Sequence, residues 1–429
     1  MIKRDGEYDD GMPRPGRNGI SRLNNLRTFK SLKNPVFRLY YMGILGQRAS
    51  MNMQLIARSL LVWRLTGSAA ILGLMHLFNA LPILFLSLFG GIISDRFQKK
   101  YVLLVGLVIS AVIALSVALS LTFGYLNIER EDSWWILGVT SLLHGSTMGL
   151  MVPSRQAIIP EMVSGEDLMN AVSLDSLGMN TLRLMAPALS GFIIESFNFA
   201  AVYYVMTGMY VMGAIFIAFM PLTSRLISKG SRALTEIAEG FKYLKRNTTI
   251  LLLLIFTLFA VMLSMPYMAL IPIFTDTILD VGASGMGVLV SISGVGAMVG
   301  ALVFASLPNK KRGLMLLVGS LILGVALVGF SFSTSWYLTI ALIVFVGLGQ
   351  TARMTLGNTL IQYYVDDEYR GRVLSIYVME FGLTSFGAFG AGLLAEAIGV
   401  EWALGGFSMT LVVVALLTLI FVPRLRQLD

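Results

Sequence analysis

Twelve long apolar runs, separated by short polar segments, limit what this chain can form. Each run holds the ~20 residues with which an α-helix crosses the hydrocarbon core of a bilayer. Inside a bilayer the backbone polar groups must be satisfied within the chain, so the runs are predicted to be helices. The predicted spans are 37–64, 69–93, 101–123, 134–156, 168–194, 200–222, 250–275, 283–306, 313–332, 335–358, 373–398 and 402–422.

The composition favours an all-α membrane protein over a soluble one. Of the 429 residues, 56% are hydrophobic and only 13% are charged, whereas a soluble domain carries about 25% charged residues. A soluble enzyme and a disordered chain are therefore excluded, and the absence of cysteine excludes a disulfide scaffold. The net charge of +8 would suggest a nucleic-acid partner in a soluble protein. Here we expect no nucleic acid, because the charge follows the membrane topology.

The basic residues fall mainly on one side of the predicted bundle. If the N-terminus is cytosolic, 26 of the 32 Lys and Arg residues lie at the cytosolic face, two lie outside and four lie within spans. Cytosolic loops of membrane proteins are enriched in Lys and Arg. Both termini are therefore predicted to be cytosolic.

The spans divide into two halves of six. The predicted parts are a basic cytosolic tail (1–36), an N-terminal six-helix bundle (37–222), a cytosolic linker (223–249), a C-terminal six-helix bundle (250–422) and a cytosolic C-terminus (423–429). In the linker, helical spacing of apolar residues from Ala233 to Asn247 predicts an amphipathic helix. That helix either lies on the membrane surface or simply connects the halves.

The two halves also resemble each other. Residues 170–173 lead into span 5 much as residues 372–375 lead into span 11, at an offset of 202, and Gly191 and Gly392 fall close to the same register. Such 6+6 duplications are typical of secondary transporters, in which the substrate binds between the halves near the middle of the bilayer.

Polar residues within the spans point to a cavity. Each intramembrane charge costs roughly 2.5–3.5 kcal/mol on insertion scales, so each requires a reason. The polar side chains of span 1, including Arg58, cover less than half of the helix, which predicts either a cavity-lining face or packing against polar partners. The residues predicted to line a substrate cavity are Gln47, Arg48, Asn52, Gln54, His144, Asn180, Arg183, Gln350 and Arg353.

Two Arg–carboxylate sets suggest one ion pair in each half. Arg155 and Asp175 belong to spans 4 and 5, and Arg353 and Glu380 belong to spans 10 and 11. Such pairs are either structural or break and re-form as the halves move. The alternative for Arg155 and Asp175 is that both simply lie at the membrane interface. Arg183 has no acid within contact distance in its own helix, because Asp175 lies about 12 Å away along the axis, so we expect Arg183 to face the cavity. The net basic interior favours an anionic or zwitterionic substrate over a cationic drug.

Three side chains are candidates for proton coupling: Asp175, Glu380 and His144. The two carboxylates are preferred, because a carboxylate taken out of water holds a proton more tightly. His144 and His76 are both intramembrane, and the alternative for each is a hydrogen-bonded packing role. No zinc, haem, nucleotide or catalytic-triad spacing is present, so no cofactor, metal or catalytic residue is expected.

The loop between spans 2 and 3 resembles the signature loop of the major facilitator superfamily. Gly91, Asp95, Arg96, Lys99 and Lys100 match the signature, and Gln98 stands where the signature has glycine. The resemblance implies the twelve-helix fold of that superfamily, and it implies that these five residues form a gating loop. In the family the acidic residue, here Asp95, lies at the N-terminus of span 11, where a helix favours negative charge.

Other segments resemble the exporter branch that includes macrolide and enterobactin efflux proteins. They are residues 34–38, 66–68 and 368–375, and Pro187 and Gly191 of span 5 also match an antiporter motif. This resemblance implies a multi-pass exporter of the bacterial inner membrane. Separately, we expect the protein to be a monomer and to have protons as a partner. The predicted function is proton-coupled export of a small organic molecule by alternating access. The alternatives are uptake or flipping of an anionic, lipid-like molecule, and a non-transporting receptor or scaffold.

Overall fold

The computed structural model describes residues 27–127, 130–163, 165–222, 233–307 and 310–429. Over these residues the chain forms helices joined by short turns, without strands. The helices are α1 (Pro35–Thr66), α2 (Ala69–Arg96), α3 (Lys99–Thr122), α4 (Trp135–Met162), α5 (Gly165–Ser196), α6 (Phe199–Phe219), α7 (Ala233–Arg246), α8 (Thr248–Ser264), α9 (Pro266–Ile273), α10 (Gly282–Ser306), α11 (Arg312–Ser331), α12 (Trp336–Tyr364), α13 (Arg370–Ile398), α14 (Val400–Phe421) and α15 (Pro423–Arg426).

Local sequence signals set the ends of the first helices. The Asn34 side chain accepts hydrogen bonds from the backbone at the start of α1, and proline follows as the first helical residue. At the other end Gly67 adopts φ of 60°, a left-handed conformation that favours glycine. Ser68 then caps α2 by accepting from the Ile71 amide. Two residues therefore suffice to reverse the chain between the first two membrane helices.

The twelve predicted membrane helices are present in the described parts of the chain. Eleven described helical segments are long and apolar enough to cross a membrane. The exception is α1, whose 32 residues include four arginines, although its length of roughly 48 Å exceeds a bilayer core. The seventh span is composite, because α8 gives way to α9 at Pro266 and a π-helical turn follows at Phe274–Ile278.

Both ends of the described chain lie at the same face of the bundle, which we call the terminal face. Asn34 donates to the carbonyl of Met162 at the end of α4 (2.8 Å). The amide of Lys311 donates to the side chain of Asp429 (2.6 Å). The other end of the bundle, which holds Gly67 and Gly399, is the opposite face. The basic tail predicted over residues 1–36 lies mostly outside the described residues.

The predicted amphipathic helix is present as α7, and it docks on α13. The Tyr243 hydroxyl donates to Asp366 (3.0 Å), and its ring stacks on Tyr369 at 4.5 Å between centroids. Glu239 forms an ion pair with Arg372 at the start of α13 (3.0 Å). The linker helix is therefore anchored to the C-terminal half at the terminal face.

The halves meet along two seams that are related by the internal repeat. In one seam α2 packs against α13, and a Cβ placed on Gly73 or on Gly392 would collide with the backbone of the partner helix. In the other seam α10 packs against α5, and a Cβ placed on Gly287 or on Gly191 would likewise collide with the backbone of the partner helix. Small residues at these positions allow the helix backbones to approach closely.

The seams separate toward the terminal face and leave a cleft between the halves. Gly382 of α13 is still in close contact with Leu84 of α2. Gly91 lies seven residues beyond Leu84 on the same face of α2, and a Cβ placed there would meet nothing within 4 Å. On α13, Val378 and Ser375 continue the seam face toward the terminal face, and both are exposed. The described conformation is therefore closed at the opposite face and open at the terminal face.

Candidate functional site

Polar side chains along one side of α1 contact the neighbouring helix α4. Gln47 is 1% exposed, and its amide nitrogen lies 3.7 Å from the sulfur atoms of Met148 and Met151 on α4. Further along the same side, Arg58 reaches the Ser141 hydroxyl of α4 at 3.3 Å. Gln54 is also buried. Gln47 and Arg58 therefore contact α4 of their own half in this conformation.

The buried ion pair of the N-terminal half joins α1 to α5. Arg48 contacts the Asp175 carboxylate at 2.7 Å and also donates to its backbone carbonyl at 2.7 Å. The predicted pairing of Asp175 with Arg155 is wrong, because Arg48 projects from the side of α1 that packs directly on α5. Arg155 stays half-buried nearby on α4.

His144 belongs to a polar cluster inside the N-terminal half. Its ring nitrogens lie 3.3 Å from the side-chain amide of Asn79 on α2 and 3.5 Å from the Tyr210 hydroxyl on α6. His144 is buried, with 5% of its surface exposed. Arg58 interacts electrostatically with His144 and also with the half-buried His76 of α2. Asn79 and Tyr210 were not foreseen, since nothing in their own spacing marks them.

In the C-terminal half the buried carboxylate has a hydroxyl partner rather than a cation. Glu380 is 5% exposed, and its carboxylate lies 2.7 Å from the Thr257 hydroxyl of α8. The predicted ion pair with Arg353 is absent: of the described basic side chains, none comes within 4.0 Å of Glu380. Arg353 is 2% exposed and close enough to interact electrostatically, yet its Nε has no hydrogen-bond partner. Tyr377 of α13 interacts electrostatically with both Arg353 and Glu380.

The cleft face of α5 carries the accessible polar residues. Asn180 precedes Leu184 by four residues and Pro187 by seven, so it shares the helix face that packs on α10. Asn180 and Arg183 are exposed, and Asn52 of α1 is half-buried. These three members of the predicted cavity set present surface here, whereas the other six are buried in this conformation.

Gln350 and Tyr267 meet on the C-terminal side of the interface. Gln350 of α12 is 5% exposed, and its side chain interacts with the buried Tyr267 of α9. The Tyr267 hydroxyl lies 3.4 Å from that of Ser293 on α10. Tyr267 also interacts electrostatically with Arg183, which places Arg183 across the interface from this group. Tyr267 was missed by the sequence reasoning, which treated its span as uniformly apolar.

The loop between α2 and α3 is open on its side toward the C-terminal half. Arg96 is exposed, and Lys99 forms an ion pair with Glu161 of α4 at 2.7 Å. Lys100 lies 5.9 Å from the ring centre of Tyr101. The side chain of Asp95, the predicted gating acid, lies outside the described residues. Lys99 therefore ties the loop to its own half while the cleft is open.

Comparison with known proteins identifies the family. The family of transmembrane secretion effectors, a branch of the major facilitator superfamily, matches residues 26–429. The staphyloferrin A transporter of Staphylococcus aureus is 23% identical over 78% of this chain and 83% of its own length. The macrolide efflux protein A of Streptococcus pyogenes is 22% identical over 90% and 96%. The enterobactin exporter of Shigella boydii is 24% identical over 96% and 97%.

A solved structure agrees with this result at the level of the fold. The nucleoside transporter NupG superposes with a TM-score of 0.73 at 14% identity, covering 89% of this chain and 98% of that one. The predicted fold class and exporter-branch resemblance are thereby confirmed. The chain belongs to the transmembrane secretion effector family of the major facilitator superfamily, and it is a multi-pass transporter of the inner membrane and not an enzyme.

Proposed function

We propose that this protein is a proton-coupled exporter of a small organic molecule that works by alternating access. The closed seams at the opposite face and the open cleft at the terminal face match one of the two end states that such a mechanism requires. The similar macrolide, enterobactin and staphyloferrin A transporters move small organic molecules. Export by this chain is inferred from the efflux names among those relatives.

The charge distribution supports a cytosolic terminal face. Of 32 basic residues, 26 belong to the tail and the loops at that face. Cytosolic loops concentrate Lys and Arg. The cleft in this conformation therefore opens toward the cytosol, where an exporter collects its substrate.

The observation that carries the proton-coupling proposal is the environment of Glu380. This side chain is buried, and its partner is a hydroxyl group and not a cation. A buried carboxylate without a directly paired cation costs several kcal/mol in its charged form, and binding a proton removes that cost. By contrast, Asp175 is neutralised by Arg48 and His144 is held by Asn79 and Tyr210. Glu380 is therefore the preferred proton carrier of the three candidates.

The Thr257 hydroxyl can form a hydrogen bond with Glu380 in either of its two protonation states. Its hydroxyl lies 2.7 Å from Glu380 and 3.1 and 3.0 Å from the carbonyls of Leu253 and Leu254. A hydroxyl has one hydrogen to donate. A protonated Glu380 donates to Thr257, which donates onward to a helix carbonyl. A charged Glu380 takes the Thr257 hydrogen for itself and gains attraction to Arg353, so that proton release redirects contacts between α8, α12 and α13.

Asn180 and Arg183 are the proposed first contacts for substrate in the cleft. Both are exposed on the face of α5 that points toward the C-terminal half. A guanidinium binds carboxylates and phosphates with paired hydrogen bonds. Arg183 also favours the second candidate function, transport of an anionic, lipid-like molecule, which would enter the same cleft.

Transport in proteoliposomes tests the proposal. Purified protein is reconstituted, and uptake of a labelled macrolide, enterobactin and staphyloferrin A is measured with a pH gradient imposed in either direction. We expect accumulation of at least one compound that reverses when the gradient is reversed. Flux that ignores the gradient would contradict proton coupling, and flux of an anionic phospholipid alone would favour the second candidate.

A further inference from the structure

Two glutamates close the seams at the opposite face in the same way. Glu195 ends α5 and accepts a hydrogen bond from the backbone amide of Ser284, in the first turn of α10 (3.0 Å). Glu396 lies near the end of α13 and accepts from the backbone amide of Ala70, in the first turn of α2 (2.9 Å). It also accepts from the Ser68 hydroxyl at 2.7 Å. Each contact joins one half of the molecule to the other.

Both contacts place a carboxylate at the N-terminus of a helix, where it is favoured. The first amides of a helix have no partner within the helix, and the helix dipole favours negative charge at that end. A carboxylate that accepts these amides makes a charge-assisted hydrogen bond. Residues 195 and 396 lie 201 positions apart, close to the repeat offset of 202, so the halves supply equivalent acids. In each case the acid ends the fifth helix of one half and caps the second helix of the other.

A third contact at this face joins the end of the first span of the N-terminal half to the end of the first span of the C-terminal half. Arg64 at the end of α1 contacts Asp276 at 2.7 and 3.2 Å through two nitrogens. It joins the halves between the two seams. By contrast, none of the described ion pairs of the terminal face joins the two halves. Lys99–Glu161 lies within the N-terminal half, and Arg372–Glu239 joins the linker helix to the C-terminal half. Cross-half polar contacts among the described residues are concentrated at the closed end.

We propose that Glu195 and Glu396 are positioning residues that form a paired latch, which holds the opposite face closed while the cleft is open at the terminal face. The proposal rests on the alternating-access function proposed above. When the halves rock into the other state, both carboxylates must leave the helix N-termini and enter water. The latch therefore sets how often the opposite face opens, without contacting the substrate.

The absence of cysteine in the chain makes opening measurable at a single introduced thiol. Ala388 lies in the seam against Gly73 and is 4% exposed. In Ala388→Cys protein in nanodiscs, the rate of modification by a membrane-impermeant maleimide reports how often the seam opens. The test combines this background with Glu195→Ala and Glu396→Ala together. The matched control is Glu401→Ala, which removes an acid from the same face without a cross-half contact.

We expect the double latch variant to raise the modification rate at least about fivefold, because losing a helix cap of this type typically changes an equilibrium by that factor. The Glu195→Gln and Glu396→Gln pair retains an oxygen acceptor and should give an intermediate rate. Glu401→Ala should leave the rate unchanged. Thermal stability should not follow this order, since both glutamates are exposed.

Gly287→Val serves as a positive control, because its side chain would wedge the other seam apart. If Gly287→Val raises the maleimide modification rate but removal of the two latch acids does not, the latch is overturned and alternating access remains intact. Unchanged rates in every variant, together with no transport, would overturn the proposed function itself and the latch with it.

Discussion

At the scale of single residues, the Arg48–Asp175 pair makes a clear prediction about stability. Both side chains are largely buried, so removing one partner strands the other charge. We expect Arg48→Ala or Asp175→Asn to lower the free energy of unfolding by about 3 kcal/mol. The double variant Arg48→Met/Asp175→Leu should recover most of that loss. Thermal unfolding in detergent measures this, and a double variant no better than the singles would contradict it.

The Thr257 hydroxyl makes a second residue-scale prediction. Thr257→Ser keeps the hydroxyl beside Glu380, whereas Thr257→Val keeps the shape and removes it. We expect Thr257→Ser to retain gradient-driven transport. Thr257→Val should reduce that transport about tenfold, the effect of roughly 1.4 kcal/mol in one protonation state. Equal transport by both variants, measured at matched expression in proteoliposomes, would remove the hydroxyl from the mechanism.

Residue pairing was only partly predictable from the sequence. Spacing correctly identified Arg48, Asp175, Arg353 and Glu380 as intramembrane charges. It could not tell that Asp175 meets Arg48, because that contact depends on how α1 packs against α5. Thr257 carried no charge or motif, and only the packing of α8 on α13 reveals it as the partner of Glu380.

At the scale of elements, the docking of α7 on α13 can be tested directly. Tyr243 is 8% exposed and joined to Asp366 and Tyr369, whereas Phe241 on the same helix is 48% exposed. We expect Tyr243→Ala to raise hydrogen exchange throughout α7 by tenfold or more, since truncating a buried aromatic costs about 3 kcal/mol. Phe241→Ala should change it far less. Similar exchange in both variants would contradict docking through Tyr243.

The same contact has a defined pH dependence. Burial raises the pKa of the Tyr243 hydroxyl above its ordinary value of 10.0. The folded state therefore favours the neutral phenol, which donates to Asp366. The contribution to stability is full below pH 10 and is lost only as the pH rises beyond it.

Element positions were the most predictable part of the structure. The apolar runs placed the twelve membrane helices and α7, because helix length and apolar spacing are local properties. The exception in hydropathy is α1, whose polar residues are accommodated because its neighbours α4 and α5 cover them. Breaks at Pro266 and the following π-helical turn were not foreseen within span 7.

At the scale of the whole molecule, the open cleft predicts sidedness. Asn180 is exposed in the cleft. We expect the single thiol of Asn180→Cys to react with an impermeant maleimide added from the cytosolic side of oriented vesicles. Reaction from the outside should be at least about tenfold slower, since the seams close that route. Faster reaction from outside would contradict the proposed orientation.

The internal repeat is the whole-molecule property that the sequence conveyed best. The offset of 202 relates Gly191 to Gly392 closely, and the structure places both at equivalent seam positions. Nearly the same offset relates Glu195 to Glu396, so the repeat in the sequence also contains the paired acids at the ends of the fifth helices. The direction in which the cleft opens could not be read in this way, because both end states share one sequence.

The most direct test of the account is the effect of Glu380→Gln on driven and undriven transport by the same reconstituted protein. The amide keeps the size of the side chain and cannot release a proton. We expect exchange of labelled for unlabelled substrate at equal pH to persist, while accumulation driven by a pH gradient is abolished. Gradient-driven accumulation equal to that of the unsubstituted protein would contradict the assignment of Glu380 as the proton carrier.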